Sequence, residues 1–163
     1  MGNIQLTRID DRLLHGQVMT RWAKGNHIDA IFILDDQVAN DDFMKQLYLA
    51  SGQNAGFKVN VLTVESAVGY WREKQFDQHN VLILFKSVAM MARAIREGLP
   101  IRTVNVGGIG KRKETKFVIN TVAISLAELE TLESIADRFN VEISFQTLPD
   151  SPKVSLADVR ATY

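Results

Sequence analysis

The segment Arg8-Ile9-Asp10-Asp11-Arg12-Leu13-Leu14-His15-Gly16-Gln17-Val18 gathers an imidazole, two guanidinium groups and two carboxylates in one short stretch. A histidine in such company can act as nucleophile, general base or metal ligand. Arg12 stands three residues before His15 and can grip phosphate oxygens through its planar fork. One aspartate can hold a ring N–H of His15 and so fix the tautomer whose other nitrogen attacks. Gly16 lets an anion approach the backbone closely, and a helix starting nearby offers free N–H groups. The same residues also read as a polar strand-to-helix turn with a capping aspartate and a surface histidine.

The remaining candidates are weaker. His27 and His79 lie in helix-to-strand connections, at the edge of the sheet opposite His15, and read as solvated loop residues. Three histidines so far apart give no metal-ligand spacing, and the chain has no cysteine to supply thiolates. Asn105-Val-Gly107-Gly108-Ile-Gly110-Lys111-Arg112 imitates a phosphate loop but fails it twice. A P-loop needs glycine where Asn105 stands and a hydroxyl residue where Arg112 stands. These glycines then either close the pocket, line a docking surface, or form a flexible turn. Asp35-Asp36 with Lys86 resembles the acidic pocket of a phospho-aspartate receiver. The third strand, however, ends Leu62-Thr63-Val64-Glu65, without the aspartate a receiver phosphorylates.

These residues need elements to carry them. Ile4–Ile9, Ala30–Leu34, Phe57–Val64, Val81–Phe85, Thr103–Val106, Val118–Ile124 and Val141–Phe145 are strand-length apolar runs. Helical patterns fall between them. They cover His15–Lys24, a stretch from Asn40 or Asp41 to about Ser51 with Phe43, Leu47 and Ala50 as its apolar stripe, Ser66–Lys74, Ser87–Glu97 and Ser125–Phe139. The last opens with a capping box, Ser125 to Glu128. Gly107–Lys116 reads as a loop, and Val154–Val159 as a short helix or strand. The alternation predicts a single α/β domain over residues 1–163, with a mostly parallel open sheet of about six to seven strands and helices on both faces. In such sheets ligands bind beyond the carboxyl ends of the strands. That places Asp10 to His15, Asp35-Asp36, Glu65-Ser66, Lys86-Ser87 and Gly107–Gly110 at the candidate edge.

Composition narrows the classes. Lys+Arg 19 equals Asp+Glu 19, so there is no basic excess to bind nucleic acid. Hydrophobic residues at 46% and charged residues at 23% suit a folded domain rather than a disordered one. No apolar run reaches bilayer length. The N-terminus lacks the basic start and apolar region of a signal peptide. A cytoplasmic protein is expected.

The Arg8–Val18 segment resembles the signature of enzyme IIB of the mannose/fructose/sorbose family of the bacterial sugar phosphotransferase system. Ile33-Leu34-Asp35-Asp36 with Asn40-Asp41, Leu82–Lys86 and Val104–Gly108 follow in the family's order, and the likeness spans nearly the whole chain. The first motif shows no departure. The resemblance implies a phosphocarrier without cofactor or metal. It would take a phosphoryl group from a phosphohistidine of the IIA protein onto Nδ1 of His15. The group would pass on to a sugar held by the membrane components IIC and IID, with this chain peripheral to the inner face of the membrane. Arg12 would bind phosphate and Asp10 would orient Arg12 or the ring. Backbone N–H groups near Gly16 and Gln17 would hold equatorial oxygens, with Lys86 as a second cation. Arg8, Lys111, Arg112 and Lys113 would offer docking charges to partners. A homo-oligomer is left open. N-acetylgalactosamine is favoured among sugars that include mannose, fructose and sorbose. A non-catalytic regulatory or receiver-like domain, phosphorylated on aspartate, is the alternative.

Overall fold

The computed structural model describes residues 1–16 and 18–163. The apolar runs form strands because a sheet covered on both sides buries every side chain along them. In Ala30–Leu34 all five residues are buried. In chain order the strands are β1 (Asn3–Asp10), β2 (Ala30–Leu34), β3 (Lys58–Leu62), β4 (Asn80–Phe85), β5 (Thr103–Gly108), β6 (Lys116–Ile119), β7 (Val122–Ile124), β8 (Glu142–Phe145) and β9 (Val154–Ser155). Seven of them make one sheet in the order β3-β2-β4-β1-β5-β8-β9, parallel except for β9, which pairs antiparallel with β8. The expected single-domain architecture holds. The helices are α1 (Asp36–Ala39), α2 (Asp42–Asn54), α3 (Val64–Lys74), α4 (Val88–Arg96), α5 (Leu126–Phe139) and α6 (Leu156–Thr162). The capping box forms as read, with Ser125 and Glu128 each bonding the other's backbone N–H.

Two cores flank the sheet. One packs α3, α4, α5 and α6 against residues such as Phe32, Ile83, Phe85 and Val106. The other packs α2 and the turn after β1 against Ile31, Ile33, Leu82 and Leu84. The connections leaving β1 and β2 therefore cover one face, and those leaving β3, β4 and β5 cover the other. β1 lies between β4 and β5, whose connections leave on the opposite side from its own. That change of side opens the crevice where open α/β sheets bind ligands.

Four expectations require correction. The helix expected over His15–Lys24 is a π-helical turn, Val18–Ala23, followed by a tight 3-10 turn, Lys24–Asn26. Such widened turns tend to occur at functional sites. The run Val118–Ile124 is not one strand. Asn120 and Thr121 make a two-residue turn joining β6 to β7, and β6 begins inside the segment read as loop. The glycines Gly107 and Gly108 end strand β5 rather than opening that loop. The stripe Phe43, Leu47, Ala50 faces solvent, with Phe43 76% exposed. Met44, Tyr48 and Leu49 turn inward instead. α2 carries two apolar stripes, and helical periodicity alone does not say which one meets the sheet.

Candidate functional site

β1 delivers Arg8 and Asp10 two residues apart, so both side chains project from the same face of the strand. Burial of such charges requires space, and β5 supplies it. A Cβ on Gly107 would stand 2.0 Å from Cζ of Arg8, and one on Gly108 would stand 2.7 Å from Oδ1 of Asp10. The glycine pair is thus the cradle of a buried ion pair, not a phosphate loop. Both charged residues are essentially inaccessible.

Beyond Asp10 the chain turns sharply. The Leu13 N–H donates to the Asp10 carbonyl at 2.9 Å. Leu13 adopts a left-handed backbone, φ 55°, while fully buried. That conformation costs a non-glycine residue about 1–2 kcal/mol, which burial of the leucine side chain, worth about 1.5–3 kcal/mol, offsets. Leu13 and Leu14 plug into the core beneath the loop. The polar residues on either side, Arg12 and His15, are thereby held at the surface. Tyr48 from α2 donates to the Arg12 carbonyl at the long distance of 3.5 Å.

The Asp10 carboxylate organises the site. Its Oδ1 accepts from the backbone N–H of Arg12 at 3.0 Å and from Arg12 Nε at 3.2 Å. Its Oδ2 faces His15 Nε2 at 3.0 Å, Arg12 Nη2 at 3.3 Å and Arg8 Nη2 at 3.5 Å. Burial pushes this carboxyl up, but the hydrogen bonds from His15 and Arg12 outweigh it and hold Asp10 down at about 2. Asp10 is therefore an acceptor at neutral pH. Its partner nitrogen, Nε2, is accordingly assigned the proton in neutral His15, leaving the lone pair on Nδ1. The His15 side chain is 18% exposed and that of Arg12 51%. Gly16 is exposed, with open space where a side chain would stand. The structure brings together Asp10, Arg12, His15 and Gly16. Gln17 lies outside the described residues.

The other candidates stand elsewhere. Lys86 lines a neighbouring crevice with Asp11, Asp35 and Asp36, and no hydrogen bond links it to the His15 cluster among the described residues. Asp35 caps α1 through Val38 N–H at 3.0 Å, and Asp36 accepts from Val64 N–H and pairs with Arg93. These carboxylates serve structure. Asp11 accepts from Gly110 N–H at 2.8 Å, which ties the β1 loop to the segment after β5. Arg8 is no docking charge, because its guanidinium is buried. Arg112 pairs with Glu128 at 2.6 Å. Sequence reasoning passed over Gln146 and Thr147 and read Asn105 only as a failed phosphate-loop position; all three bond Arg8. The available signal was a charged residue in a strand that otherwise reads as core.

The profile of the family described as PTS system sorbose subfamily IIB component matches residues 4–161. The chain belongs to that family. It is 32% identical over 155 residues to the sorbose-specific EIIB component of Klebsiella pneumoniae, covering 95% of this chain and 93% of the relative. It is 30% identical to the fructose-specific EIIB component of Bacillus subtilis, over 91% and 90% of the two chains. Among solved structures, manxB from Thermoanaerobacter tengcongensis superposes with a TM-score of 0.91 at 40% identity, covering 100% of this chain and 98% of that one. As a IIB component this protein is a phosphotransferase of the sugar phosphotransferase system and a phosphocarrier in sugar uptake. Components of this kind work with IIA and with the membrane components IIC and IID. Among the described residues no helix is long and apolar enough to cross a membrane.

Proposed function

We propose that His15 carries the phosphoryl group on Nδ1. The observation that carries this is the Asp10–His15 hydrogen bond, which occupies Nε2 and leaves Nδ1 as the nucleophilic nitrogen of a partly exposed ring. In the first step the Nδ1 lone pair attacks phosphorus. The bond from phosphorus to the donor histidine of IIA breaks, and that histidine keeps the electron pair. In the second step a sugar hydroxyl attacks the same phosphorus, the P–Nδ1 bond breaks with its electron pair returning to Nδ1, and the hydroxyl proton passes to solvent. Both steps depend on placement and on compensation of charge at the equatorial oxygens. Arg12 supplies the nearest accessible guanidinium. Gly16 leaves room for the phosphoryl group, and its backbone N–H adds a donor. Asp10 stays behind the ring, so its charge stabilises the imidazole without facing the incoming phosphate. Lys86 acts as a more distant cation for partner or phosphate.

On this reading the chain docks at the inner face of the membrane through IIC and IID. Relatives named for sorbose, fructose and N-acetylgalactosamine match at 32%, 30% and 28% identity. Overall likeness therefore does not separate the sugars, and the choice among them rests with the membrane components.

The test is phosphoryl transfer from phosphoenolpyruvate through enzyme I, HPr and a cognate IIA, on wild type, His15→Ala and Arg12→Ala. The expected label is acid-labile and alkali-stable, absent in His15→Ala, and formed about ten- to a hundredfold more slowly in Arg12→Ala. A label that survives in His15→Ala, or that alkali removes as it removes an acyl phosphate, sinks the proposal and moves the chemistry to an aspartate.

A further inference from the structure

Arg8 is the largest fully buried side chain among the described residues, and the transfer chemistry above does not touch it. Its surroundings are specific. Nη1 donates to Asn105 Oδ1 at 2.5 Å and to the Gln146 carbonyl at 3.0 Å. Nη2 donates to the Thr147 carbonyl at 2.9 Å and reaches Asp10 Oδ2 at 3.5 Å. The guanidinium lies over the Trp22 ring, 4.8 Å from its centroid. Trp22 Nε1 donates to the same Thr147 carbonyl at 3.3 Å. Trp22 belongs to the π-helical turn that follows His15. The contacts thus form a closed circuit. It runs from His15 to Asp10, to Arg8, to the Thr147 carbonyl, to Trp22, and back along the π-turn toward His15.

A merely structural arginine would not need this arrangement. Burying a guanidinium is expensive, and a core of this size could fill the space with apolar atoms at lower cost. Burial pulls Arg8 down to about 10, with the Asp10 charge opposing that fall, so it remains a cation at neutral pH. Its fork is anchored on Asn105, Gln146 and Thr147, and Nη2 backs one oxygen of the carboxylate, Oδ2, from behind, while Arg12 and His15 hold the front. With Arg12 on both oxygens and His15 and Arg8 on Oδ2, the carboxylate is held from both sides.

We infer that Arg8 is a positioning residue for the phosphoryl-accepting histidine: it backs Asp10 with a fixed, buried counter-charge, and through Asp10 it holds His15 in the tautomer and orientation that present Nδ1. The inference rests on the assignment of His15 as the phosphoryl carrier. It also assigns functions to Asn105 and Trp22, which brace Arg8 from β5 and from the π-turn. Arg8 itself touches neither phosphate nor partner.

The experiment measures phosphoryl transfer from phosphorylated IIA across donor concentrations, for wild type, Arg8→Lys and Asn105→Ala, together with 15N spectra of the His15 ring at neutral pH. Arg8→Lys keeps the charge and loses the fork. Its maximal rate is expected to fall about tenfold or more. The half-saturating donor concentration should stay within about twofold, because the residue is inaccessible to IIA. The ring should pass from one Nε2–H tautomer to a mixture. Asn105→Ala should move both readouts the same way, by about threefold in rate. It decides the matter if Arg8→Lys does not fold. A folded variant with wild-type maximal rate and a single tautomer overturns the inference. So does a change confined to the half-saturating concentration, which would return Arg8 to a docking role. The label on wild type separates the two levels. If it sits on His15 while the ring is indifferent to Arg8 and Asn105, this inference alone falls. If it sits elsewhere, the phosphohistidine assignment falls with it.

Discussion

Two histidines of this chain face an aspartate at nearly the same distance. His15 Nε2 lies 3.0 Å from Asp10, at the carboxyl ends of the strands; His79 Nδ1 lies 3.2 Å from Asp29, at their amino ends. The surroundings differ in every other respect. The Asp10 side chain is wholly buried and faces two arginines, whereas that of Asp29 is 53% exposed and, among the described residues, receives only the Asn80 N–H besides the ring. His15 keeps Nδ1 unoccupied among the described residues, while the second nitrogen of His79 meets Lys58 Nζ at 3.3 Å. A histidine–carboxylate contact is therefore not in itself a site. Burial of the carboxylate, a cation behind it and a free nitrogen in front make the difference.

The largest expected effect comes from neutralising the two carboxylates in parallel. Asp10→Asn offers a nitrogen where Arg8, Arg12 and His15 all present donors, so one contact must become a clash. The ring then loses its preference for the Nε2–H tautomer. Transfer should slow by about a hundredfold or more, in keeping with the loss seen when a histidine's orienting carboxylate becomes an amide. Stability should drop by about 3–5 kcal/mol, because a buried Arg8 is left without its counter-charge. Asp29→Asn should leave the labelling rate within about twofold and urea-unfolding stability within about 1 kcal/mol. Similar losses from both variants would erase the contrast.

A smaller effect reads the Asp10 side of the comparison by pH. Asp10 is held at about 2 in the folded state, against 3.8 for the unperturbed group. A depressed carboxyl stabilises the fold wherever it is ionised in both states. Its contribution is complete above about pH 4 and is lost as pH falls toward about 2, amounting to about 2 kcal/mol over that window. Urea unfolding of wild type and Asp10→Asn between pH 2 and 5 should show their difference narrowing as pH falls. A difference that stays constant across the window would mean that Asp10 is not the group titrating there.

Much of this was legible in the sequence. Apolar runs bounded by polar turns gave the strands, because a sheet covered on both faces admits little else. The Asp10–Arg12–His15 spacing gave the front of the site, because those residues lie within one tight turn. Arg8 was misread because its burial depends on partners far away in sequence. Asn105, Gln146 and Thr147 meet it only once β5 and β8 are in register beside β1. The placement of Gly107 and Gly108 in a loop fails for the same reason. Gly107 and Gly108 resemble a phosphate loop in one dimension, and only the neighbouring strand shows what they leave room for. The inward stripe of α2 was hidden by a second apolar stripe on the same helix, a tie that only packing against the sheet resolves. The π-helical turn gives no sequence periodicity of its own over six residues.

The smallest expected effect concerns Lys58, and it sharpens the comparison from the quiet side. Its ammonium donates toward Nε2 of His79, which makes the lower cluster a chain of Lys58, His79 and Asp29 across the ends of β3 and β4. On paper this resembles the upper cluster, with a cation, an imidazole and a carboxylate in contact. The order differs, however. At the upper site the cations sit on the carboxylate and leave the ring free; at the lower site the cation sits on the ring and the carboxylate opens to water. Long exposed side chains gain little Coulomb energy in water and lose rotamer entropy when held. Lys58→Met should therefore change unfolding stability by no more than about 0.5 kcal/mol and leave phosphoryl transfer unaltered. A slowing of transfer in this variant would show that the amino ends of the strands take part in docking or catalysis, and the division of the molecule into a working end and a solvated end would have to be abandoned.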